Sequence, residues 1–79
     1  MFEFSLDNNK DFTKCNNIGP IQGAPVYKRN TKEQYWYKDM FHNNHFEVFN
    51  STGKHLGEAD MNGELDSKKK DPTKRINLK

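Results

Sequence analysis

Turn-forming residues recur about every ten positions in the second half of this chain, at Asn43-Asn44, Ser51-Thr52-Gly53 and Asn62-Gly63. Asn and Gly accept the positive φ that a tight reversal needs, so these sites read as hairpin turns. The stretches between them alternate. Over 34–40, Tyr35, Tyr37 and Asp39 share one face and Trp36, Lys38 and Met40 the other. Over 45–50, Phe46 and Val48 oppose His45, Glu47 and Phe49. Further strands are expected at 26–29, at 54–59, near Glu64-Leu65, and over 73–78, where Ile76 and Leu78 alternate with polar residues. The pattern predicts a mainly β fold (small α+β) built on a single antiparallel meander.

At 79 residues the chain has room for one domain. Its mean hydropathy of −1.18 and 30% charged residues lean toward disorder. Six Phe, three Tyr and one Trp argue for a folded core instead, because each ring buries a large area. Trp36, Phe46 and Phe41 are the expected core aromatics. Residues 1–25 read as an N-terminal arm or linker: two Gly and two Pro fall within 18–25, a density that excludes helix and central strand. The compact domain is then expected over 26–79. No apolar run is long enough to cross a membrane as a helix, and Met1-Phe2-Glu3-Phe4 does not resemble a secretory leader. One cysteine, Cys15, excludes an internal disulfide framework and a cysteine-based zinc finger.

The formal charge of +2 is unevenly spread. Residues 68–79 hold six Lys or Arg against one acid, leaving 1–67 at −3. A basic tail on a mildly acidic body suits a polyanionic partner; a solvated end segment is the plainer alternative.

Acid–base groups concentrate between Asp39 and Glu47, where His42 and His45 also lie. An imidazole and a carboxylate that converge can exchange protons near neutral pH. A hairpin at Asn43-Asn44 would bring them together. Two exposed imidazoles on a polar turn is the plainer alternative. His42, His45 and Asp39 could also ligate a metal, but without a helical His-Glu-x-x-His pattern no metal or other cofactor is expected. Cys15 reads as an ordinary thiol. Combined with the basic tail and the aromatics, the window suits cleavage of RNA. There the 2′-hydroxyl is the nucleophile, a base takes its proton, an acid protonates the leaving 5′-oxygen, and rings can stack on splayed bases.

From about Tyr27 to Leu78 the chain resembles the C-terminal ribonuclease domain of ribosome-cleaving colicins and of related contact-dependent and polymorphic bacterial toxins. The resemblance is an ordered series: Tyr37-Lys38-Asp39 with His42, Phe46-Glu47-Val48-Phe49, Gly53-Lys54-His55-Leu56-Gly57, Gly63 with Leu65, and Asp71-Pro72 followed by Lys74-Arg75-Ile76. It implies a strongly twisted antiparallel sheet with a short N-terminal helix or arm. It also implies metal-free cleavage of small-subunit ribosomal RNA near the decoding site, leaving a 2′,3′-cyclic phosphate. Glu47 would be the base, His42 the acid, Asp39 its orienting partner and Arg75 the phosphate ligand. Tyr37 and Lys74 would contact RNA, and His55, which keeps the family's position, would either contact RNA or serve packing. Implied partners are the ribosome and an acidic immunity protein bound to a monomer. The domain would be secreted or delivered by a larger toxin and act in the cytoplasm of a target bacterium.

The chain departs from that pattern at several points, one being a loop before Gly53 that is one residue shorter. The His42-to-Glu47 spacing is one residue longer, and His45 stands where the family has no His, on the strand face of Glu47. His45 is therefore the alternative acid. The basic stretch before the first catalytic strand is also thinner, with Lys28, Arg29 and Lys32. A transfer-RNA target, a non-catalytic RNA-binding module and a protein-interaction domain are the other classes the sequence allows.

Overall fold

The computed structural model describes residues 4–41 and 45–78. Six strands form one antiparallel sheet: β1 (Phe12–Lys14), β2 (Tyr27–Arg29), β3 (Gln34–Lys38), β4 (Phe46–Phe49), β5 (His55–Ala59) and β6 (Leu65–Asp66). Their order in the sheet is their order in the chain. The only helix among the described residues is a 3₁₀ turn at Ser67–Lys69, capped by the Asp66 carboxylate, which accepts from the Lys68 N–H. No described helix is long and apolar enough to cross a membrane.

The hairpin turns after β4 and β5 repeat one design. At the first, Asn50 Oδ1 accepts from the backbone N–H groups of Thr52 and Lys54. At the second, Asp60 Oδ1 accepts from those of Asn62 and Glu64. Gly53 (φ +89°) and Gly63 (φ +83°) then take the left-handed step that turns the chain into the next strand. The Asn43-Asn44 turn lies outside the described residues.

Period-two alternation divides the side chains between two faces. On the first, Tyr27, Trp36, Phe46, Val48 and Ala59 form a core with Leu6 and Phe12, and Phe4 and Leu56 pack against it. Phe4 meets Phe12 and Phe46 edge-on, with centroids 5.7 and 5.4 Å away. On the second, Ala24, Val26, Tyr37, Phe49 and Ile76 form a smaller cluster, and the Tyr37 and Phe49 rings stack at 5.8 Å.

The segment expected as an arm thus supplies β1 and part of the main core. It is tied down by polar contacts as well. The Asp11 carboxylate accepts from Arg29 Nε (2.8 Å) and from the Thr31 N–H and hydroxyl, and the Arg29 contact is the main reason its pKa lies below the ordinary value. The Tyr27 hydroxyl donates to the Asp7 carboxylate. Within the Gly/Pro-rich stretch, Ile21 and Ala24 exchange two backbone hydrogen bonds across a tight turn.

Two further expectations are corrected. Residues 73–78 form a single bridge, Arg75 to Lys54, rather than a strand, although Ile76 is buried as its spacing predicted. Phe41 is 76% exposed, beside the half-exposed Met40. It follows the end of β3, where, among the described residues, it is no longer part of the paired sheet.

Candidate active site

The second face changes character along its length. Tyr35 pairs with Phe49 and Tyr37 with Glu47 across β3 and β4. One step further the Asp39 N–H donates to the His45 carbonyl. By alternation, the side chains at 35, 37, 39, 45, 47 and 49 share this face. An apolar cluster at one end therefore passes directly into Glu47, Asp39 and His45 at the other.

His45 Nε2 lies 2.9 Å from Glu47 Oε2 and 3.1 Å from Asp39 Oδ2. Glu58 Oε2 stands 3.8 Å away. One ring nitrogen thus faces carboxylates from three stretches of chain, and it must carry a hydrogen to bond to any of them.

Glu47 is 1% exposed. A buried carboxylate is tolerable only when its oxygens are well partnered. Its Oε1 lies 2.6 Å from His55 Nε2, and its Oε2 is met by His45 and by Lys74 Nζ at 3.4 Å. His55 Nδ1 accepts the backbone N–H of Asp71 at 2.8 Å, which places the ring hydrogen on Nε2, donating to Glu47. His55 therefore does two jobs: it holds the catalytic-candidate carboxylate and anchors the start of the C-terminal segment. The Asp71 carboxyl, capped by the Thr73 hydroxyl and N–H, is held below the usual carboxylate range.

Glu58 reaches the cluster because of a β-bulge. The register slips between Val48 and Phe49, so that Val48 faces Gly57 and Phe49 faces His55. Leu56 is the extra residue, and it packs against the first-face core. Counted by twos, His55 and Glu58 would sit on opposite faces; the bulge places both beside Glu47. Gly57 makes this possible. Its φ is +146°, and a Cβ there would lie 2.3 Å from the Asp66 carbonyl oxygen.

The structure thus brings together Asp39, His45 and Glu47 from the candidate set, with Lys74 and His55. It adds Glu58, which sequence alternation hid. Tyr37 and His55 are buried, so neither offers a ring face to a base. Burial, then the negative charges of Glu47 and Asp39, push the Tyr37 hydroxyl up to about 12. Arg75 does not join the cluster: it flanks a surface depression with Thr52, Asn77 and Leu78. The cation that reaches Glu47 is Lys74, whose parity matches the core-facing Ile76. That signal was in the sequence. His42 lies outside the described residues. Cys15 is half-buried, its thiol pKa raised by burial, in keeping with an ordinary thiol.

Chemically, the cluster joins a buried carboxylate that can accept a proton, an imidazole that can donate from Nε2, a second carboxylate beside that ring, and a half-exposed cation. Lys74, Glu58 and His45 are its solvent-facing members, with side chains 43%, 28% and 17% exposed. Compared with protein families, curated proteins and solved structures, the chain matches none.

Proposed function

We propose that this domain is a toxin endoribonuclease that cuts ribosomal RNA by metal-free acid–base attack of a 2′-hydroxyl. The observation that carries the reading is Glu47, a buried carboxylate bonded to one imidazole on each side, with a lysine at its solvent edge. Lys74 swings from Glu47 Oε2 onto the scissile phosphate and uncovers that oxygen. Glu47 takes the 2′-hydroxyl proton, and the new O–P bond closes the 2′,3′-cyclic phosphate. His45, in its protonated form, gives its Nε2 hydrogen to the departing 5′-oxygen and is left as the neutral ring, while Asp39 holds it in line. His45 is preferred to His42 as the acid because its nitrogen already touches the base. Lys74 is preferred to Arg75 as the phosphate ligand for the same reason. The resemblance to ribosome-cleaving colicin domains supplies the target, delivery by a larger toxin into a bacterial cytoplasm, and a neutralising acidic immunity protein. Charge complementarity with the exposed Lys68, Lys69 and Lys70 would speed that last association.

The test is incubation of the purified domain with intact bacterial ribosomes in EDTA, with breaks mapped by primer extension. The expected result is one cut near the 3′ end of the small-subunit RNA. Cleavage of transfer RNA alone would move the target. Intact RNA of both kinds would overturn the enzymatic reading.

A further inference from the structure

We propose that Asp39, His45 and Glu47 form a zinc-binding site, in which Zn²⁺ replaces the hydrogen that His45 Nε2 directs at the two carboxylates. One donor atom from each residue lies within 4.8 Å of the other two. A tetrahedral zinc with ligands near 2.1 Å needs its donors about 3.4 Å apart. The His45 nitrogen is 2.9 and 3.1 Å from its two carboxylate oxygens, so small outward shifts suffice. Binding needs the neutral ring with its hydrogen on Nδ1: a cationic ring loses its Nε2 proton to solvent, a neutral one exchanges its hydrogen through solvent to Nδ1, and either way Nε2 gives the metal its lone pair. A mixed nitrogen–oxygen set of this kind suits zinc rather than magnesium, which prefers oxygen donors and keeps its waters.

Two neighbours favour the site and one opposes it. His55 fixes Glu47 through Oε1, leaving Oε2 for the metal with its orientation already set. Glu58 Oε2, 3.8 Å from the same nitrogen, is placed to become a fourth ligand. The Lys74 ammonium, 3.4 Å from Oε2, repels a dication and must swing away. A zinc ion there occupies the oxygen that the proposed ribonuclease uses as base. It therefore inhibits, and only that inhibition rests on the ribonuclease reading; binding itself does not.

The test is calorimetric titration of the intact domain with zinc chloride near neutral pH, with magnesium chloride as the control and circular dichroism to verify folding of each variant. One zinc per chain and no magnesium binding are expected. His45→Ala and Asp39→Asn should each weaken binding by at least the roughly tenfold seen when an outer-shell partner is lost. Lys74→Ala should tighten it severalfold, whereas the ribonuclease reading has the same substitution lower activity. Cys15→Ser should change nothing. Absence of zinc binding, or zinc binding that folded His45→Ala retains in full, overturns the proposal. If zinc binds as expected but no RNA is cut under any condition, the metal site stands and the ribonuclease reading falls.

Discussion

On one face of β3, β4 and β5, Trp36, Phe46, Val48 and Ala59 meet Phe4, Leu6 and Phe12. The charge that approaches them is the Arg29 guanidinium, 5.5 and 5.4 Å from the Phe12 and Trp36 ring centres. On the other face of the same strands, the Tyr37–Phe49 stack gives way within one pair to Glu47, Asp39 and His45. Both faces are buried at their centres, Val48 at 0% exposure and Glu47 at 1%. The first gains its stability from ring packing. The second spends burial on charges, which contribute little net stability even when well paired. A domain this small sets its larger apolar core on one side of its sheet and its buried charges, beside a smaller apolar cluster, on the other.

The largest expected effect separates the faces directly. Trp36→Ala should lose about 3–5 kcal/mol in urea unfolding, a large part of the total for a domain of this size. Glu47→Gln keeps the side-chain shape and an acceptor for His55, so its loss should be only about 1–2 kcal/mol. Ribosomal RNA cleavage should nonetheless fall by about 10²–10⁴-fold. Equal destabilisation by the two, with equal loss of cleavage, would erase the distinction.

A smaller effect tests how the second face is built. Gly57→Ala places a Cβ against the Asp66 carbonyl at a φ that side chains rarely adopt, a strain of about 1–3 kcal/mol. Because the bulge carries both His55 and Glu58, imidazole chemical shifts of His55 and His45 should move while the Trp36 indole signal does not. Changes confined to the Trp36 side would show that the bulge serves the core instead.

The smallest effect compares one tyrosine from each face. Both hydroxyls are pushed up to about 12, Tyr27 first by its hydrogen bond to Asp7 and Tyr37 first by burial, then by Glu47 and Asp39. A folded-state pKa above the ordinary 10 means that these groups' contribution is complete below pH 10. It is lost as pH rises from 10 through 12. In Glu47→Gln, phenolate absorbance should show Tyr37 ionising at lower pH while Tyr27 stays near 12. A common shift of both would mean that the faces are electrostatically coupled.

Much of this arrangement was legible. Alternation over 45–50 separated Phe46 and Val48 from His45, Glu47 and Phe49, and the structure keeps that division. Turn residues located the later hairpins. What stayed hidden had identifiable causes. β1 is three residues long, too short for a period to show. Glu58 was concealed by the bulge, since counting by twos fails wherever a residue is inserted. Motif order pointed to Arg75 as the cation of the site, while the cation beside Glu47 is Lys74, which shares the parity of the buried Ile76. Phe41 was expected in the core on residue type alone, and it lies beyond the end of β3, exposed.

The meander has a consequence for how the domain assembles. Asp39, His45, Glu47, His55 and Glu58 all belong to two adjacent hairpins, so their convergence needs only short loop closures. Lys74 joins Glu47 from 27 positions away, roughly three times the span between the paired Lys38 and Phe46. That longer closure costs about 1 kcal/mol more in chain entropy. It is held by the His55–Asp71 bond, the Lys54–Arg75 bridge and Ile76. The His45–Glu47 pair is therefore built from neighbouring strands, whereas Lys74 is brought to it by a contact that spans a longer stretch of chain.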